Sequence, residues 1–174
     1  MARIIVLVGM MGSGKTTIGR LLADRLRCRF VDTDDLVVLD AGRSVRDIFA
    51  TDGEAVFRSY EQRALSSALE STVDVVVAAA GGSVLSDVNR AALAQRADVV
   101  VWLDATVATL GERTGGGSHR PLLDDDPIAG LTKLDSQRRA VYEQVADVRI
   151  DTTGRSVTQV VEAVLAATVE EHAS

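Results

Sequence analysis

Gly9-Met10-Met11-Gly12-Ser13-Gly14-Lys15-Thr16 satisfies the pattern G-x-x-x-x-G-K-[ST] at every specified position. The chemistry open to such a run is the binding of nucleotide phosphates. Its glycines let successive backbone N–H groups turn inward around phosphate oxygens, a helix starting near Lys15 adds the positive end of its dipole, and Lys15 adds a point charge. Gly12, Ser13, Gly14, Lys15, Thr16 and Thr17 are therefore the candidate phosphate-binding residues, with the hydroxyl of Thr16 placed to ligate a magnesium ion.

A P-loop hydrolase also carries an acidic residue at the end of a second strand. Here the apolar run Val75 to Ala79 continues into Ala80-Gly81-Gly82 with no carboxylate, which argues against a motor or a GTPase-like enzyme. The nearest acids are Asp32, Asp34 and Asp35. If extended backbone persists through residue 34, Asp32 and Asp34 project from one face, because side chains alternate along a strand. Asp32 then holds the metal through water and Asp34 faces an acceptor hydroxyl. The structural alternative is a polar strand-to-helix turn in which Asp34 or Asp35 caps a helix.

These residues must be carried by a scaffold, and the chain alternates short apolar runs with helical patterns. Ile4 to Val8, Phe30 to Val31, Val75 to Ala79, Val99 to Leu103 and Val148 to Ile150 are the predicted strands. They are nearly continuous in Val, Ile, Leu and Ala, as in a parallel sheet with helices on both faces, so five buried strands are expected. Helices are expected over Lys15 to Arg27, Val45 to Ala50, Gly53 to Leu69, Asp87 to Gln95, Val107 to Arg113, Gly130 to Ala146 and Val157 to Glu170. Ser44 and Asp87 are candidate N-caps, and Ser156 with Gln159 has capping-box spacing. Gly115 to Pro127 has no period and reads as a mobile loop. No repeat or internal boundary interrupts the chain, so residues 1–174 are expected to form one domain.

The P-loop, Val31-Asp32-Thr33-Asp34, Asp47-Ile48-Phe49, Gly53-Glu54-x-x-Phe57-Arg58-x-x-Glu61, Gly81-Gly82 and Arg120-Pro121-Leu122-Leu123 together resemble the shikimate kinase family, in order and spacing over nearly the whole chain. The resemblance implies an α/β three-layer P-loop kinase fold with a five-stranded parallel sheet in the order 2-3-1-4-5. It also implies ATP-dependent phosphorylation of the 3-hydroxyl of shikimate, with Mg²⁺, in the aromatic amino acid pathway. By the same resemblance the acceptor-binding region spans about 34–61 and a lid about 115–126. Asp34 contacts the acceptor hydroxyls, Arg58 and Arg138 grip the substrate carboxylate, and Gly81 and Gly82 form part of the turn beneath the ring. Arg120 is the lid arginine on the transferring phosphate, Arg113 packs on adenine, and Glu61 and Phe57 border the acceptor pocket. Lys15, Asp34 and Arg120 are then the catalytic set.

The residues have plainer readings as well. Arg58 can pair with Glu54 or Glu61 along one helical face, and the site can draw on Arg138 or its neighbour Arg139. Arg138, one turn before Tyr142, is the preferred choice. Arg25, Arg27 and Arg29 read as a solvated patch, Trp102 as core, and His119 and His172 as solvated. Two positions depart from the family pattern. Ala80 stands where a glycine triplet is usual, and its methyl would crowd the substrate, or force a different turn if that residue needs positive φ. Ala140 stands where a proline usually follows the carboxylate-binding arginine. Other acceptors, such as another hydroxy acid or a cyclitol, and a nucleotide-binding regulatory role are the rival functions.

Composition narrows the partners. Among 174 residues, 19 Lys and Arg stand against 25 Asp and Glu, a net charge of −6. That balance disfavours nucleic acid, whose binding rests on cationic neutralisation of phosphates. The single cysteine, Cys28, reads as a buried structural thiol and fits a reducing cytoplasm. No stretch has the length of a membrane span or the pattern of a signal peptide. A cytoplasmic monomer acting on small molecules is the expectation.

Overall fold

The apolar runs pair into a five-stranded parallel sheet in the order β2-β3-β1-β4-β5. The computed structural model describes residues 2–114 and 126–170. In chain order the elements are β1 (Ile4–Val8), α1 (Lys15–Leu26), β2 (Arg29–Asp32), α2 (Thr33–Ala41), α3 (Val45–Leu69), β3 (Val75–Ala78), a 3₁₀ turn at Ser83–Leu85, α4 (Asp87–Arg96), β4 (Val99–Asp104), α5 (Val107–Thr114), α6 (Pro127–Val145), β5 (Val148–Asp151) and α7 (Val157–Glu170). The sheet order is the one that the resemblance implies. Ile5 pairs with both Val76 and Val99, so β1 lies at the centre and delivers the P-loop to the middle of the sheet edge.

Strand alternation divides the core into two layers. Ile4, Val6 and Val8 join Trp102, Leu131, Leu134 and Tyr142 on the side covered by α3, α4 and α6. Ile5 and Leu7 join Ile18, Leu22, Val160 and Val164 on the side covered by α1 and α7. Each fully buried side chain of this size contributes about 1.5–3 kcal/mol. The three inner strands are buried throughout, whereas β2 and β5 at the edges are only partly covered, contrary to the expectation of five buried strands. Among the described residues their outer flanks have no neighbouring strand.

Most predicted elements are present with ends moved by a few residues. The expected helices Val45 to Ala50 and Gly53 to Leu69 are both present within α3, parted where Gly53 takes the non-helical φ 81° and ψ 175°. Helix α2 is not among the helices predicted from periodicity, since the consecutive apolar residues Leu36 to Leu39 show no helical spacing, and is expected only as the alternative to extended backbone after Asp32. It forms because Asp32 caps its first turn, Gly42 ends it at φ 65°, and Val37 is buried against Ile48, Phe57 and Ala64. Ser44 caps α3 as expected; the cap of α4 is Ser86 rather than Asp87, which occupies the first turn. Ser156 and Gln159 exchange the two bonds of a capping box. Cys28 is half-buried rather than buried, and burial raises its thiol above the usual value.

Candidate active site

A cavity of about 950 Å³ opens at the C-terminal ends of β1, β2 and β3. Open α/β sheets place their ligands at this edge, because the loops leaving the strands diverge there. The P-loop, the α2–α3 region, the turn after β3, Arg113 of α5, the α6 face and the β5–α7 connection wall the cavity.

The P-loop takes the backbone its glycines permit. Gly9, Gly12 and Gly14 all have positive φ, at 143°, 82° and 97°. The Lys15 ammonium donates to the carbonyls of Gly9 and Met10 at 2.9 and 3.0 Å, folding back over the loop. Ser13 is buried, and its Oγ has no hydrogen-bond partner among the described residues. Gly12 through Ile18 line the cavity continuously.

Thr16 Oγ1 donates to Asp32 Oδ2 at 2.7 Å, so a hydroxyl and a carboxylate meet beside Lys15. The expected arrangement of Asp32 and Asp34 along one extended face is not what forms. The strand stops at Asp32, and helix α2 begins at Thr33. The cap is Asp32, not Asp34 or Asp35: its Oδ1 accepts the Asp34 N–H at 3.0 Å. Asp32 thus uses one oxygen on the helix and the other on Thr16, while Asp34, in the first turn, still lines the cavity. Thr33 turns the other way, and its hydroxyl accepts the Ala80 N–H at 2.9 Å, tying α2 to the turn after β3.

Arg58 and Glu61 project from α3 into the same cavity. The Arg58 guanidinium donates to Glu61 at 2.5 Å and to Glu54 at 2.9 Å, so both ion pairs foreseen along the helix form, and Arg58 lines the cavity besides. Glu61 is only 3% exposed, and burial pushes its carboxyl above the usual range, with Arg58 opposing. Burial favours loss of the Arg58 proton, but Glu61 and Glu54 outweigh it and hold the guanidinium charged.

Gly81 and Gly82 both have ordinary negative φ and are required by space instead. A side chain at Gly82 would overlap the Arg58 guanidinium, and one at Gly81 would press on the Gly9 carbonyl and on Arg138. Ala80 has negative φ too, is buried, and its carbonyl accepts from both the Ser83 N–H and hydroxyl. The expected conflict between its methyl and a left-handed turn does not arise.

Arg138 is buried at 2% exposure on the inner face of α6, lining the cavity; its Nε has no partner among the described residues. Tyr142, one turn later, donates to the Gly81 carbonyl at 2.6 Å, and burial pushes its phenol up to about 12. Arg139 faces elsewhere, paired with Asp104 and Asp135. Helix α6 runs through Ala140 unbroken, and Ala140 is exposed.

At the opposite end Arg113 donates to the Gly12 carbonyl at 3.3 Å and to Thr152 Oγ1 and O at 3.0 and 2.9 Å. The cavity also takes in Arg46, Phe49, Thr152 and Arg155, which the sequence reading did not select as site residues. Thr152 and Arg155 follow the C-terminal end of β5, and the rule that ligands bind beyond strand C-termini was the available signal. Arg120 and His119 lie outside the described residues, as does the expected lid at 115–126 apart from Asp126, whose side chain caps α6.

The parallel sheet, the P-loop at its centre and the adjoining cavity with its arginines and carboxylates define a P-loop kinase. The family model described as "Shikimate kinase" matches residues 11–169. A shikimate kinase of Symbiobacterium thermophilum is 52% identical over 160 residues, covering 90% of this chain and 91% of that one. One from Streptomyces avermitilis is 44% identical, covering 92% of each chain. Among solved structures, the shikimate kinase of Acinetobacter baumannii in complex with shikimate superposes with a TM-score of 0.93 at 33% identity, covering 98% of this chain and 94% of the other. The chain belongs to the shikimate kinase family.

Proposed function

We propose that this chain, acting as a single kinase domain, transfers the γ-phosphoryl group of ATP to the 3-hydroxyl of shikimate, giving shikimate 3-phosphate and ADP. The observation that carries the reading is the placement of two arginines from different helices, Arg58 and Arg138, around a glycine turn beside a complete P-loop. Guanidinium groups suit a carboxylate, because the planar fork supplies charge and direction together. An acceptor held by its carboxylate against Arg58 and Arg138, over Gly81 and Gly82, presents its hydroxyls toward Asp34.

ATP phosphates fit the P-loop, where Gly12 to Thr17 line the cavity, the buried Ser13 hydroxyl has no partner among the described residues, and Lys15 supplies charge. Arg113 borders the base. Thr16 and Asp32 offer hard oxygen donors, and among the described residues no group of three or more His, Cys, Asp or Glu could hold a metal. That donor set fits Mg²⁺, which keeps waters and phosphate oxygens as ligands and takes few from protein. Thr16 would bind it directly and Asp32 through water; bound there, the ion neutralises charge on the β- and γ-phosphates.

In phosphoryl transfer the protein chiefly positions reactants and stabilises spread negative charge. Lys15 does this on the donor side, with Arg120 from the 115–126 segment. Asp34, as a carboxylate, orients the acceptor hydroxyl and takes its proton as the P–O bond forms. No described helix is long and apolar enough to cross a membrane, and the reading is of a cytoplasmic monomer acting on small molecules. The test is ³¹P NMR of the product: a phosphomonoester coupled to the C3 proton supports the assignment, and phosphate on another carbon, or inorganic phosphate alone, contradicts it.

A further inference from the structure

Asp104 ends β4 behind the active-site wall and is 6% exposed, yet its carboxylate takes four N–H donors from two arginines. Arg139 binds it bidentately, Nη2 to Oδ1 at 2.9 Å and Nη1 to Oδ2 at 3.1 Å. Arg149 of β5 binds it through Nε and Nη2, at 3.0 and 2.6 Å. Both guanidiniums lie over the Trp102 ring, at 5.2 and 4.9 Å from its centroid. Trp102 in turn stacks on Tyr142 at 5.8 Å, and Tyr142 holds the Gly81 carbonyl.

Helix α6 needs such a clamp. Its buried face consists of Leu131, Leu134, Arg138 and Tyr142, so an arginine sits in the middle of the stripe that packs on the sheet. Apolar patterning alone specifies the rotation of this helix weakly, because turning Arg138 toward solvent would relieve a buried charge. Residues 138 and 139 are about 100° apart around the axis. Fixing Arg139 to Asp104 of β4, its guanidinium oriented by Asp135 one turn earlier on the same helix, holds Arg138 toward the glycine turn. The Asp104 carbonyl also accepts the Thr152 N–H at 2.8 Å, and Thr152 carries Arg113.

We propose that Asp104 is a positioning residue for the acceptor: by clamping Arg139 against Trp102 it sets the rotation of α6 and so aims Arg138 at the substrate carboxylate. Asp104 touches no reactant and acts only through Arg138. The inference rests on the acceptor assignment made above, and the test separates the two.

The experiment is calorimetric titration of shikimate into wild type, Asp104→Asn, Arg138→Ala and the double variant, with Mg-ATP titrated into each as a second ligand. The expected result is shikimate affinity about tenfold weaker in Asp104→Asn, with Mg-ATP affinity within about twofold of wild type, as for a coupled pair of residues. In the Arg138→Ala background the Asp104→Asn change should add less than about twofold. Equal weakening of both ligands, an unchanged shikimate affinity, or the same fold-change with and without Arg138 would overturn it. Arg139→Gln, at a partly exposed side chain, must show the same split and decides the matter if Asp104→Asn does not fold. Wild type that binds Mg-ATP but no shikimate overturns the acceptor assignment, and this inference with it; wild type that binds shikimate with no effect of Asp104→Asn overturns this inference alone.

Discussion

The Arg58 guanidinium occupies the space that a side chain at Gly82 would need, and the same Nη1 and Nη2 atoms pair with Glu61 and Glu54. Glycine at 82 is therefore a requirement of the arginine and not of the backbone, whose φ there is −87°. Gly82→Ala forces the end of a flexible side chain to move and leaves the turn itself unstrained. Shikimate KM should rise about tenfold while the melting temperature stays within about 2 °C of wild type. Steady-state kinetics beside thermal unfolding checks this, and a large loss of Tm with unchanged KM would assign Gly82 to folding instead.

Ala80 tests the converse. It sits at negative φ with both backbone groups bonded, so restoring a glycine relieves nothing and loosens the unfolded chain. Ala80→Gly should leave shikimate KM within about twofold and lower Tm by about 1–3 °C. A marked fall in KM would mean that the methyl does obstruct the acceptor.

The two roles of Asp32 can be separated by one atom. Asn caps a helix as well as Asp does, so Asp32→Asn should keep α2 and its Tm. It removes the negative oxygen that faces Thr16. The Mg²⁺ concentration for half-maximal turnover should rise at least about tenfold. Unchanged Mg²⁺ dependence would remove Asp32 from the metal site.

Glu61 makes a prediction about pH. Burial raises its carboxyl, with Arg58 pulling in the opposite direction. A carboxyl raised on folding holds its proton more tightly in the folded chain than in the unfolded chain. Its contribution is full below the unfolded-state value and declines as pH rises through the folded one. Relative to Glu61→Gln, wild type should therefore lose Tm as pH rises through the interval above the ordinary carboxylate value. A wild-type advantage that grows over that interval would show the carboxyl to be lowered, with the Arg58 pairing outweighing burial.

The sheet and the phosphate loop were legible because their signals are local: apolar runs of strand length, and a glycine pattern between a strand and a helix. On the acceptor side the motif resemblance nominated Asp34, Arg58, Glu61, Gly81, Gly82 and Arg138, which line one cavity, but their geometry was not legible. Whether the chain stayed extended through Asp34 or turned into a helix depended on α2, whose stability comes from Val37 packing on α3, a tertiary effect invisible to spacing. The choice between Arg138 and Arg139 likewise depended on Asp104, far along the chain. Gly81 and Gly82 announced a turn, but the reason for them, close approach by Arg138 and Arg58, exists only in three dimensions.

The central claim is that the cavity beside the P-loop accepts shikimate for phosphorylation, and ADP release from Mg-ATP measured with and without shikimate tests it most directly. The account predicts strong stimulation by shikimate, little by quinate or simple cyclitols, and loss of that stimulation in Arg58→Ala. ADP release indifferent to shikimate, or driven equally well by an acceptor without a carboxylate, would contradict it.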